Sequence, residues 1–259
     1  MRVSRLALGI TLAGCTTFGG TDPLPDASVV PPEAGVSPDA AAPDAAIPES
    51  GPPDAGDRCS VLCDDFEGRS DPPGGIWDRV VGAEVKIGTG GGSAGLQFVS
   101  TRVSKPPVDS QAYLQKSLAK TTSSITLRFA MRLDDVNTAA RLVNFAGNVG
   151  RPLPEVQIGI DVSSQQLKLI SQKGTKVVVS TQFLPLPADK WMTLELSIDL
   201  VGGKAKIALA GGAPITHDFA AEWDQWAKET PIELRFGAAY VAAMGTAVVA
   251  FDDVALSAR

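Results

Sequence analysis

From Arg58 onward, the chain consists of short runs in which apolar and polar residues alternate. The clearest are residues 125–133 and 192–200, where every second side chain is large and apolar. Because successive side chains of a strand point to opposite faces, each run predicts a strand with one buried and one solvated face. Glycine pairs such as Gly202-Gly203 and Gly211-Gly212 separate the runs and indicate hairpin turns.

The number of these runs predicts an all-β fold. Only residues 220–228 have a helical pattern, with Asp218 as a cap and Pro231 beyond the end. One short helix among so many strands argues against alternating α/β architecture, so we expect a single jelly-roll β-sandwich over residues 58–259. The predicted strands are residues 61–67, 84–87, 95–100, 111–117, 124–133, 141–145, 155–161, 166–171, 176–181, 191–200, 204–209, 232–240 and 247–257.

Residues 1–15 have the pattern of a bacterial lipoprotein signal peptide. Two arginines precede the apolar residues 6–12, and Leu12-Ala13-Gly14-Cys15 ends the segment. The apolar run is too short to span a bilayer, so we expect cleavage before Cys15 and acylation of this cysteine. Thr16 at the following position favours sorting to the outer membrane. The sequence thus predicts an outer-membrane lipoprotein of the bacterial cell envelope; an ordinary secretory leader with a chance cysteine is the alternative.

Residues 16–57 predict a disordered linker rich in proline, alanine and aspartate. They include eight acidic residues and no basic one, and such a segment cannot form a packed core. Removing these acids and the two leader arginines from 29 acidic and 23 basic residues leaves 21 of each in residues 58–259. This formally neutral domain has no excess positive charge that would attract nucleic acid or anionic lipid. We therefore expect its membrane contact to come from the lipid anchor.

The other two cysteines, Cys59 and Cys63, lie four positions apart. An exported protein meets an oxidising compartment, which favours a disulfide between them provided that the chain turns at residues 60–62. Two reduced thiols are the alternative. A zinc site is disfavoured because no second ligand pair accompanies the cysteines.

Both ends of the predicted domain resemble the first and last strands of bacterial concanavalin A-like (laminin-G-like) jelly-roll domains. The motif at the start is Cys63-Asp-Asp-Phe-Glu-Gly68 followed by Trp77, and the motif at the end covers residues 248–257. The glycine-rich stretch before Leu96 is similar to the entry into the second strand of that family. The family includes lectins, carbohydrate-binding modules, glucanases, polysaccharide lyases and adhesion domains, so the resemblance leaves the function open.

The sequence supplies no recognisable catalytic residues for this family. Its glucanases use a Glu-x-Asp-x-x-Glu strand, and this motif is absent. Its lyases need clustered arginine, histidine, glutamine and tyrosine, whereas His217 is the one histidine of the chain. A Ser-His-Asp triad on His217 is conceivable, but we expect this residue at the surface or at a strand end.

The resemblance also implies a structural calcium ion where the first and last strands meet. Asp64, Asp65 and Glu67 lie at one end of the domain, and Asp252 with Asp253 lies at the other. Calcium takes six to eight oxygen ligands, and Asp65 and Asp253 are the candidate ligands. Alternatively, these acids cap strand ends and bind backbone amides.

Two further features suggest ligand contacts, each with a plainer alternative. Trp223 and Trp226 share one face of the predicted helix and could bind a sugar ring, or they pack in the core. Residues 90–95 match the glycine pattern of dinucleotide-binding loops. That pattern requires a helix after it, whereas a predicted strand follows here, so we expect an inter-strand loop.

The function predicted from the sequence is that of a lipid-anchored envelope protein whose jelly roll binds a glycan or a cell-surface protein without catalysis. One alternative is a divergent polysaccharide hydrolase or lyase. Another is a structural or adhesive surface domain without a small ligand.

Overall fold

The computed structural model describes residues 59–106, 108–150, 154–220 and 230–259. No helix in these ranges is long and apolar enough to cross a membrane. The described residues form the strands β1 Leu62–Asp64, β2 Arg79–Val81, β3 Val85–Thr89, β4 Gln97–Ser104, β5 Ser110–Leu118, β6 Ser124–Val136, β7 Ala140–Gly147, β8 Val156–Ser163, β9 Gln166–Lys173, β10 Lys176–Val179, β11 Leu184–Pro185, β12 Met192–Asp199, β13 Lys204–Leu209, β14 Ile215–Asp218, β15 Ile232–Val241 and β16 Thr246–Ala258.

The strands form two antiparallel sheets. Sheet A has the order β14-β13-β12-β6-β16-β4-β3, and β1 pairs with β16 beside this path. Sheet B has the order β10-β9-β8-β7-β15-β5-β2, and β11 pairs with β9. The predicted all-β sandwich is therefore confirmed.

The hydrophobic core lies between the sheets and uses the alternate apolar positions that the sequence pattern predicted. On β6, the apolar side chains of residues 125–133 are buried while Arg128 faces solvent. Phe236 of β15 lies at the centre of an aromatic cluster, with ring centroids 4.6 Å from Phe251, 5.4 Å from Phe129 and 5.7 Å from Trp77. Burial of these rings is the main favourable contribution to packing of the two sheets.

The first and last strands are neighbours, as the sequence predicted. β1 pairs with β16 in the register Leu62 to Leu256 and Asp64 to Val254. The predicted strand over residues 61–67 was too long, because the chain turns after Asp64. Its carboxylate accepts a hydrogen bond from the Phe66 amide at 3.0 Å, and Phe66 has a positive φ of 59°. Such a local side-chain bond to the backbone ends the strand.

His217 lies in β14, a short strand that the sequence pattern did not predict, and it is buried. The expectation of a surface position is wrong. His217 pairs in register with Ala205, whose small inward side chain leaves room for the imidazole between the sheets. Its Nε2 lies 2.9 Å from the buried Ser171 Oγ of β9, which satisfies a polar atom that burial would otherwise leave unpaired.

The predicted helix over residues 220–228 begins with Ala220, whose amide donates a hydrogen bond to Asp218 Oδ1 at 3.2 Å. The rest of it, including Trp223 and Trp226, lies outside the described residues. Cys15 and the linker lie outside them as well.

Candidate functional site

A groove with a volume of about 390 Å³ lies on the outer face of sheet B. Two of its lining residues, Asn144 on β7 and Arg235 on β15, are register partners, and Gly159 on β8 pairs with Asn144 from the other side. The groove is lined by Gln111, Arg141, Asn144, Gln157, Gln172, Val177, Arg235, Ala239 and Tyr240.

A register shift in β7 determines which side chains reach the groove. Pairing with β8 shifts between Arg141 and Val143, and both Leu142 and Val143 belong to the buried core. In a regular strand one of these two apolar side chains would point outward. The bulge instead turns both inward and leaves Arg141 and Asn144 together on the outer face.

Arg141 is fixed by hydrogen bonds to three side chains on two neighbouring strands. Its Nε donates to Asp161 Oδ1 at 2.9 Å. Its Nη1 donates to Gln157 Oε1 at 2.7 Å and to Gln172 Oε1 at 2.8 Å. The guanidinium group therefore crosses β8 and β9 in one defined position, with its charge matched by a carboxylate.

Arg235 continues this network on the other side of Gln157. Its Nη1 donates to Glu155 Oε1 at 3.0 Å, and its Nη2 donates to Glu233 Oε2 at 3.4 Å. Gln157 links the two halves, because its Nε2 donates to Glu155 Oε1 at 2.8 Å and its Oε1 accepts from Asn144 Nδ2 at 2.9 Å. A guanidinium on one side and a carboxylate on the other fix the orientation of the Gln157 amide.

Two buried polar atoms of the groove have no hydrogen-bond partner among the described residues: the acceptor Asn144 Oδ1 and the donor Arg235 Nε. They belong to residues that pair directly across β7 and β15. Gly159 has no side chain, which leaves room for the Asn144 amide. A Cβ atom at residue 159 would lie 3.1 Å from Asn144 Oδ1. Buried polar atoms are rarely left unpaired in native proteins, so each such atom requires an explanation.

Tyr240 is the exposed aromatic side chain of the groove, with 45% of its surface accessible. Its hydroxyl donates to Asp109 Oδ2 at 2.8 Å, and Asp109 Oδ1 accepts from the Ala243 amide at 3.0 Å. The hydrogen bond to Asp109, together with burial, raises the pKa of the Tyr240 phenol above its ordinary value of 10.0. The ring is thus anchored at one end and open to a ligand along its face.

The acids predicted to bind calcium lie together at one end of sheet A, but hydrogen-bond donors occupy their carboxylates. Asp64 accepts from Trp77 Nε1 at 2.8 Å, Asp65 from the Glu67 amide at 3.1 Å, and Asp253 from Ser93 Oγ. No three histidine, cysteine or acidic side chains of the described residues could hold a metal ion. Because calcium also takes carbonyl oxygens and water, the calcium site stays a prediction.

The glycine-rich segment is the loop between β3 and β4, and acidic side chains hold it at both ends. The Ser93 amide donates to Asp252 Oδ2 at 2.7 Å, and the Leu96 and Gln97 amides donate to Glu67 Oε1 at 2.6 Å and 2.8 Å. Burial raises the pKa of the Asp252 carboxyl above its ordinary value of 3.8, although the hydrogen bonds oppose this shift. Asp252 and Glu67 therefore bind backbone amides, as the alternative to metal binding expected, and calcium binding stays a prediction.

The structure contains a disulfide between Cys59 and Cys63, whose Cα atoms are 5.6 Å apart. The bridge joins the segment before β1 to Cys63, the middle residue of β1. It therefore lies far along the chain from every residue that lines the groove.

A second depression, with a volume of about 450 Å³, lies on the outer face of sheet A. Ser124, Thr126, Arg128 and Glu195 line it. Arg128 and Glu195 are register partners on β6 and β12, and both are exposed. This surface has no interlinked side-chain network like that of the groove among the described residues, so the groove is the stronger candidate site.

No protein-family model matches the chain, and no curated protein matches it. Among solved structures, the cellulose-induced protein Cip1 is 17% identical with a TM-score of 0.54, covering 76% of this chain and 96% of its own. The domain has the concanavalin A-like jelly-roll fold. The jelly roll is also similar to the endo-β-1,3(4)-glucanase SCLam, at 13% identity and a TM-score of 0.49 over 77% of this chain and 91% of that one. Basic winged bean lectin is 12% identical with a TM-score of 0.42, and the match covers 70% of this chain and 96% of the lectin.

Sequence reasoning missed the groove residues of the jelly roll. Arg141, Asn144, Gln157 and Arg235 each occupy an outward position, where a polar side chain is the ordinary occupant of a solvated face. The available signal was the clustering of glutamine, asparagine and arginine on several strands. That signal becomes specific only when the strand order is known.

Proposed function

We propose that the jelly roll binds a glycan in the groove of sheet B and does not cleave it. The observation that carries this proposal is the polar floor of the groove, formed by Arg141, Asn144, Gln157 and Arg235. In it the register partners Asn144 and Arg235 have an acceptor and a donor that no described residue satisfies. Sugars present hydroxyl groups that donate and accept, together with apolar ring faces. The polar side chains of the floor can form hydrogen bonds with the hydroxyl groups, and the Tyr240 ring can pack against a ring face.

The ion pairs of the groove favour binding over catalysis. A glycosidase of the usual kind needs one carboxylic acid that donates a proton and a second carboxylate across the scissile bond. Asp161, Glu155 and Glu233 are each bound to an arginine of the network. Among the described residues of the groove, no carboxylate is thus left free for either role.

The test is affinity electrophoresis of the full-length protein through gels that contain laminarin, hydroxyethyl cellulose or arabinoxylan. We expect retardation by at least one of these polysaccharides. Tyr240→Ala should weaken binding about three- to tenfold, because a ring contact of this kind contributes about 0.5–1.5 kcal/mol. Tyr240→Phe keeps the ring and should retain most of the affinity.

Val201→Ala is the matched control, because Val201 is exposed in the turn between β12 and β13 of sheet A. It should bind as the wild type does. Unretarded migration in every gel would contradict glycan binding. Release of new sugar ends from the same polysaccharides over time would instead favour the hydrolase or lyase.

We also propose that acylated Cys15 anchors the protein to the bacterial outer membrane. The formally neutral domain and the acidic linker supply no alternative attraction to lipid, so Cys15→Ala should move the protein to the soluble fraction. Thr17→Ala is the control and should stay with the membranes. Retention of the Cys15→Ala protein in salt-washed membranes would contradict the anchor.

A further inference from the structure

The charges of the groove are balanced within its own network. The two arginines that line it, Arg141 and Arg235, contact three carboxylates, those of Asp161, Glu155 and Glu233. These five side chains have a formal net charge of −1. Each guanidinium is at most 15% exposed and is already ion-paired, so neither presents a free positive charge to a ligand.

Among the described residues, the other cations on this face lie outside the groove lining. Lys168 of β9 is the register partner of Asp161, a carboxylate of the network. Arg79 is on β2, the outermost strand of sheet B, three strands away from Asn144 and beyond Gln115. The floor itself therefore remains neutral to slightly negative.

From this balance we infer that the groove selects a neutral glycan and excludes polyanionic ones; the inference rests on the glycan-binding function proposed above. A uronate carboxylate would approach three carboxylates whose arginines are already bound. In a partly buried groove this repulsion is weakly screened by solvent. A neutral sugar avoids this repulsion.

The unmatched pair gives the hydroxyl groups of a neutral sugar a specific place. A hydroxyl group of the sugar can donate to Asn144 Oδ1, and a hydroxyl group can accept from Arg235 Nε. A carboxylate has no proton to donate, so it would leave Asn144 Oδ1 unpaired. Asn144 Oδ1 thus favours a hydroxyl group over a carboxylate.

The first experiment compares laminarin, a neutral glucan, with alginate, a polyuronate, at low ionic strength. The full-length protein should bind laminarin and not alginate. The double variant Asp161→Asn with Glu233→Gln raises the net charge of the network to +1. The ratio of alginate affinity to laminarin affinity should then rise at least tenfold, by an order-of-magnitude Coulomb argument.

The control for net charge is Glu84→Gln with Glu195→Gln, which makes the same change at exposed carboxylates of sheet A and its edge. It should leave that ratio unchanged. Alginate binding equal to or tighter than laminarin binding by the wild type would overturn the inference but leave glycan binding standing. Failure to bind either polysaccharide would overturn both.

The second experiment tests the hydroxyl contact. Arg235→Lys keeps the charge but removes Nε–H, and it should weaken laminarin binding about tenfold, as expected for a hydrogen bond to a charged group. Asn144→Leu should have a similar effect. Gln97→Leu removes Gln97 Oε1, a buried atom on sheet A that also has no partner among the described residues, and should not change binding. Wild-type affinity in folded Arg235→Lys would overturn the proposed contact.

Discussion

Phe236→Ala is expected to lower the free energy of unfolding by about 3–5 kcal/mol, the cost of removing a large buried aromatic side chain and leaving a cavity. Phe236 is fully buried and its ring contacts those of Phe251, Phe129 and Trp77. These three rings come from β16, β6 and the segment before β2, so the cavity would loosen both sheets. Close-packed interiors collapse only partly around such a gap.

Urea unfolding followed by tryptophan fluorescence measures this change. The control is Phe183→Ala, because Phe183 is 48% exposed and its removal should cost less than about 1 kcal/mol. For a domain of this size, the loss in Phe236→Ala corresponds to a decrease in melting temperature of about 10 °C. Equal stabilities of the two variants would show that Phe236 is not at the centre of the core.

Asp64→Ala is expected to destabilise the domain by about 3–5 kcal/mol, as found when one partner of a buried charged pair is removed. The Asp64 carboxylate accepts hydrogen bonds from Trp77 Nε1 at 2.8 Å, from the Phe66 amide at 3.0 Å and from Arg69 Nε at 3.3 Å. Its side chain is only 1% exposed. The substitution leaves buried donors without an acceptor, and it also removes the bond that turns the chain after β1.

Asp65→Ala is the matched control, because the neighbouring Asp65 is exposed and accepts one hydrogen bond, from the Glu67 amide at 3.1 Å. Its cost should stay below about 1 kcal/mol. The wild type and both variants are measured in calcium and in chelator. Stabilisation of the wild type by calcium that is lost in Asp65→Ala would favour the metal site predicted at Asp65 and Asp253, and equal curves of the wild type in both buffers would contradict it.

Local patterns of the sequence determined the strands and the inner face of most of them. The alternation in residues 125–133 and 192–200 predicted β6 and β12, because a strand has a side-chain period of two and one face is buried. The pairing of β1 with β16 followed from the resemblance of the two ends. The spacing of Cys59 and Cys63 was likewise sufficient to suggest a bridge, since a turn of three residues brings their Cα atoms within reach.

Strands β2, β11 and β14 were missed because two to four residues are too few to show a period. The burial of His217 was missed for a related reason. Its environment depends on Ala205 in the next strand and on Ser171 in the opposite sheet, and neither is close to it along the chain. Local pattern carries no information on such partners.

Local sequence was sufficient to predict the class of the fold, since strand periodicity and turn residues act over a few positions. Only the tertiary structure determined the candidate site. Arg141 and Gln157 meet because β7 pairs with β8, and Arg235 joins them because β15, far along the chain, inserts on the other side of β7. A register shift of one residue in β7 then decides that Arg141 and Asn144 share a face. Strand order and register arise from packing of the whole core, so local sequence could not reveal this groove.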